Sequence, residues 1–190
     1  MKKYILLITT IVVLFISGCA TFQSPKVLEK GEQSLTLSAS ATLSPTLPVF
    51  FDIDVSFRTY IAERLDAGLQ FTGPYYSATA DVKYQILTEP FYLAASVGAG
   101  VIVSGYIAQA LLIGGTETFY IGIKPLSAFT KSSPIGGMIL AGTTLGENRN
   151  FIIEANAGYL PGYDYGYLFG YEDKYGGLFA AIGAGLRFKF

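Results

Sequence analysis

Residues 51–58 read Phe51-Asp52-Ile53-Asp54-Val55-Ser56-Phe57-Arg58. The odd places are apolar and the even places polar. A strand sends successive side chains to opposite faces, so this order makes one apolar and one polar face. The same period continues downstream. Leu65, Ala67, Leu69 and Phe71 oppose Asp66, Gly68, Gln70 and Thr72, and Ala80, Val82, Tyr84 and Ile86 oppose Thr79, Asp81, Lys83 and Gln85. The chain ends on Leu186-Arg187-Phe188-Lys189-Phe190, which alternates strictly. Period two predicts ten strands, over about 33–43, 49–60, 65–73, 78–87, 91–103, 106–113, 117–125, 135–145, 150–160 and 177–190. Residues 106–113 are apolar on both faces, and over 97–113 a buried helix competes. The seventh strand is expected to stop at Pro125, which cannot donate to a ladder.

Composition narrows the classes. The chain has 190 residues, 13 Lys+Arg, 14 Asp+Glu, 22 Gly, one Cys and no His. Mean hydropathy is +0.44. No stretch after residue 19 holds the apolar run of about 18 residues that a spanning helix needs. Apolar content is too high for disorder. Without His there is no Ser-His-Asp or Cys-His catalysis and no His metal ligand. A single Cys leaves no intrachain disulfide. Paired carboxylates such as Asp52 and Asp54 could serve acid–base chemistry, but they also suit an ordinary polar interior. No enzyme, metal or dissociable cofactor is expected.

The first residues form an address. Met1-Lys2-Lys3 is basic, Tyr4 to Ile16 is mostly apolar, and Ile16-Ser17-Gly18-Cys19 follows. The run suits a secretory signal and is short for a bilayer span. These four residues resemble the bacterial lipobox. That resemblance implies cleavage after residue 18 by lipoprotein-processing machinery and a covalent lipid on Cys19. Cleavage removes Lys2 and Lys3, leaving 11 basic and 14 acidic residues, a net of −3. No basic patch points to nucleic acid. Residues 19–32, largely polar with breakers at Pro25 and Gly31, read as a lipidated tether. About 13 extended residues reach roughly 45 Å.

Strands with one apolar face fit either a soluble sandwich or a membrane barrel with its apolar face toward lipid. Strand lengths of about 8–14 residues, an even count and charges at mid-strand favour the barrel. Connections after even strands are short, except that Ser104-Gly105 after strand five is short too. The long connections, about 126–134 and 161–176, follow odd strands. The pattern over 33–190 resembles the small bacterial outer-membrane β-barrels. In that family a terminal Phe preceded by alternating apolar residues is the assembly signal, which implies that role for Leu186, Phe188 and Phe190. Lipidation is a departure from that family.

The expected fold is therefore all-β: an antiparallel up-and-down transmembrane β-barrel of ten strands, with eight or twelve as alternatives. Residues 1–18 are the signal peptide, 19–32 the tether and 33–190 the barrel. The expected place is the bacterial outer membrane, lipid-anchored, with both termini periplasmic. Partners would be outer-membrane lipid, barrel-assembly machinery and an extracellular ligand. Expected lumen charges are Asp52, Asp54, Arg58, Asp66, Asp81, Lys83, Lys124, Glu154, Arg187 and Lys189. They could be ion pairs filling the lumen or the lining of a conduction path. Tyr163, Tyr165, Tyr167, Tyr171 and Tyr175 could make surface contacts, or extend the last hairpin and form an aromatic girdle. Two functions compete: a non-enzymatic barrel lipoprotein with a structural or surface-interaction role, and a narrow channel for ions or small solutes.

Overall fold

The computed structural model describes residues 21–44, 47–73, 77–102, 105–129, 135–146, 148, 150–164 and 174–190. Among them are ten strands and no helix. The strands are β1 (Gln33–Ser44), β2 (Leu47–Ala62), β3 (Leu65–Gly73), β4 (Ser77–Leu87) and β5 (Tyr92–Ile102), then β6 (Gly105–Gly115), β7 (Phe119–Phe129), β8 (Ile135–Leu145), β9 (Phe151–Asp164) and β10 (Lys174–Lys189). Each pairs antiparallel with its sequence neighbour, and β1 pairs with β10, closing a barrel. Closure leaves no free sheet edge.

Side chains are distributed inside out. Every strand presents large apolar residues outward, among them Leu37, Phe71, Val97, Ile121, Ile139 and Ile182. The inward set is mixed. On β1–β4 it is polar and charged, with Thr36, Ser40, Asp52, Arg58, Asp81 and Lys83 all buried. On β5–β8 it is mostly apolar, with Ala94, Leu111, Ile113, Tyr120 and Leu140 buried.

One sequence expectation holds against its rival and another changes. Residues 97–113 belong to β5 and β6, not to a helix. The strand expected to end at Pro125 runs on to Phe129. The β6–β7 ladder passes from Gln109↔Leu126 to Leu112↔Ile123, skipping the rungs at Lys124 and Pro125 without changing register. A proline with no N–H is tolerated by leaving those rungs unmade.

The two ends of the barrel differ. The near end carries the start of β1, the end of β10 and the turns after β2, β4, β6 and β8. Here Gln33 N donates to Phe190 O at 2.9 Å and Phe190 N returns a bond to Gln33 O at 3.1 Å. The connections at the far end, 45–46, 74–76, 103–104, 130–134 and 165–173, lie outside the described residues.

Candidate functional site: the occupied mouth of the barrel

Residues 21–28, expected to be part of a tether, are folded into the near end of the lumen. Thr21, Phe22, Gln23, Val27 and Leu28 are all buried. Glu154, on the inward face of β9, is the deepest anchor. Its carboxylate accepts from Thr21 N at 2.7 Å, Thr21 Oγ1 at 3.1 Å, Phe22 N at 3.0 Å and Tyr120 Oη at 2.9 Å. A carboxylate fully removed from water needs donors of this kind. Gln85 Oε1 accepts from Val27 N at 3.1 Å, and Asp66 Oδ2 from Leu28 N at 3.3 Å.

Cations hold the segment's carbonyls. Arg187 Nη2 donates to Phe22 O at 2.9 Å. Lys83 Nζ donates to Ser24 O at 3.1 Å and Lys26 O at 3.4 Å, and lies 3.3 Å from Asp66 Oδ2. Lys26 reaches back to the rim, where its Nζ is 3.0 Å from Glu117 Oε1. It also donates to the exposed Glu29, at 3.0 Å, and so holds that carboxyl below the usual range.

Phe22 supplies the apolar anchor. Its ring joins Ala94, Leu111, Ile113, Tyr120, Leu140 and Ile152 in one buried cluster. Glycines make the space: a Cβ at Gly183 would lie 2.7 Å from Phe22 Cζ, and Gly142 leaves room for the Tyr120 ring. The Phe22 backbone has φ 45°, a left-handed conformation that costs a non-glycine residue about 1–2 kcal/mol. The surrounding bonds offset that cost.

Beside the segment the polar wall forms an ion-pair network. Arg58 Nε donates to Asp66 Oδ1 at 2.9 Å, while Nη1 and Nη2 reach Asp81 Oδ1 and Oδ2 at 2.9 Å each. Arg58 Nη2 also bonds Asp66 Oδ1. Deeper in, Asp54 Oδ1 accepts from Gln70 and Thr72. Among the described residues no donor reaches Thr42 Oγ1, Asp52 Oδ1 or Asp54 Oδ2. A cavity of about 240 Å³ runs alongside the segment, lined by Ser34, Thr36, Arg58, Asp66, Lys83 and Arg187 among others.

The expected lumen charges thus divide. Asp52, Asp54, Arg58, Asp66, Asp81, Lys83 and Glu154 are buried inside, and Lys124 and Arg187 are half-buried. Lys189 sits exposed at the rim, 3.4 Å from Glu32 Oε2, because β10 ends there. Leu186, Phe188 and Phe190 are exposed. Tyr163 and Tyr175 are partners in the β9–β10 ladder, so those two extend the hairpin. Tyr165, Tyr167, Tyr171 and Cys19 lie outside the described residues. Sequence reasoning missed Thr21, Phe22 and Lys26 as lumen residues, and Gln85 and Glu117 as their partners. The signals were Phe22 and the pair Val27-Leu28, apolar residues in an otherwise polar stretch.

The class defined by this geometry is a closed ten-strand antiparallel β-barrel with an occupied near mouth. No protein-family model matches the chain, and no curated protein does. Among solved structures it is similar to the KdgM porin in complex with disordered oligogalacturonate, at 11% identity and TM-score 0.45, covering 83% of this chain and 99% of that one. It is similar to the NanC porin at 7% identity and TM-score 0.44, covering 80% and 98%. It is also similar to the Acinetobacter baumannii outer membrane protein Omp33 at 11% identity and TM-score 0.34, covering 83% and 99%.

Proposed function

We propose that this chain is a bacterial outer-membrane β-barrel with a structural or surface-contact role and no catalytic one. The observation that carries this reading is the inside-out burial: apolar side chains outward on all ten strands, with Asp52, Asp54, Arg58, Asp66, Asp81, Lys83 and Glu154 buried inside. A water-soluble barrel would have no use for an apolar outer belt. Both barrel termini share the near end, which would face the periplasm. The lipobox supports a lipid on Cys19, checked by the mass of the mature chain.

The occupied mouth favours a filled barrel over an open pore. The test is single-channel recording on the full mature chain refolded into a bilayer. The expected result is a silent membrane, from protein that fractionates with the outer membrane and shifts mobility on boiling. Stable conductance altered by charge changes at Asp54 or Lys83 would overturn the filled-barrel reading. The cavity beside the segment favours a second reading, a narrow channel for ions or small solutes.

A further inference from the structure

Seven main-chain groups of residues 21–28 bond to wall side chains. The amides of Thr21, Phe22, Val27 and Leu28 go to Glu154, Gln85 and Asp66, and the carbonyls of Phe22, Ser24 and Lys26 to Arg187 and Lys83. We propose that the near mouth is a binding site for a short bent peptide, read through its main chain and one aromatic side chain, and that residues 21–28 occupy it reversibly.

Of the five wall side chains that hold the segment, four keep a protein partner among the described residues when it leaves, and Arg187, which gives up Phe22 O, is the exception. Glu154 keeps the Tyr120 hydroxyl, Asp66 keeps Arg58 and Lys83, and Gln85 Nε2 keeps Leu87 O at 3.0 Å. Withdrawal of the segment therefore does not strand these groups without a partner, the outcome that makes broken buried pairs costly. The left-handed Phe22 backbone relaxes on release. Specificity rests on few groups, because any peptide that takes up the same bent path, left-handed at its aromatic residue, offers the same amides and carbonyls. The side-chain requirement is the ring that fills the socket beside Gly183 and Gly185. The segment joins β1 through residues 29–32 alone, so its local concentration at the mouth is high, on the order of millimolar or above. A second peptide competes only when this hold is weakened.

Two measurements on the full mature chain in micelles test the proposal, and neither depends on the membrane reading. The first is hydrogen exchange. The amides of residues 21, 22, 27 and 28 should exchange at least tenfold more slowly than free chain, yet at least tenfold faster than those of β9, because local opening frees them without unfolding. Exchange only together with β9 would make the segment a permanent strut and overturn the proposal. Exchange at the free-chain rate would overturn it too. The second uses Phe22→Ala, a change outside every strand, with folding verified by an unchanged β-sheet circular-dichroism spectrum. A labelled peptide of residues 21–28 should bind this variant, and the same peptide with Ala for Phe at least tenfold more weakly. No binding, or equal binding of both peptides, would overturn the proposal.

Discussion

The two sides of the lumen are built from opposite chemistry on one backbone. Inward residues of β1–β4 are Ser, Thr, Asp, Arg, Gln and Lys; those of β5–β8 are mostly Ala, Leu, Ile, Tyr and Met. Their outward faces are alike, both apolar. The difference explains how a short segment is held between them. Phe22 sends its ring to the apolar wall, while the main chain around it turns to Lys83, Asp66 and Gln85 on the polar wall, with Glu154 and Arg187 closing from β9 and β10.

The largest break in that contrast comes from Arg58→Met. The polar wall would keep Asp66 and Asp81 but lose the guanidinium between them. Removing one member of a buried ion-pair network costs about 3–5 kcal/mol. The urea midpoint of the refolded barrel should fall accordingly, with an unchanged slope. A neutral result would mean that the wall is hydrated enough to solvate both carboxylates.

The apolar strands give a sharper test of which face meets lipid. Ile139 and Leu140 are neighbours on β8, with Ile139 63% exposed and Leu140 4%. Ile139→Arg should cost about 2–4 kcal/mol in a bilayer if this face is buried in hydrocarbon near the midplane. On a water-facing surface it would cost within about 0.5 kcal/mol. Equilibrium unfolding from lipid vesicles separates the two, and a cost at the lower level would remove β8 from the membrane.

The same contrast explains what was legible in the sequence. Where the two faces differ, as in Phe51 to Arg58, alternation identifies both the strand and its inside. β3 matches its expected bounds of 65–73, and β8 its bounds of 135–145. On β5 and β6 both faces are apolar, so period alone could not separate strand from helix over 97–113; pairing with β4 and β7 decides it. The occupied mouth was hidden for a different reason. Its bonds use main-chain groups that every sequence has, and their partners lie 38 to 165 residues away. A polar stretch with Pro25 and Gly31 reads as a tether until the barrel supplies Glu154 and Arg187.

The smallest expected effect marks where the polar wall stops. Arg187 and Lys189 share one face of β10, two residues apart. Arg187 reaches inward to Phe22 O at 2.9 Å. Lys189 pairs with Glu32 at the rim, with side chains 41% and 30% exposed. Exposed pairs of this kind contribute about 0–1 kcal/mol. Lys189→Ala should therefore shift the urea midpoint slightly at low salt. The shift should vanish near 1 M salt, where the screening length falls to about 3 Å. A larger loss that persists in high salt would put Lys189 with the lumen charges and carry the polar wall out to the rim.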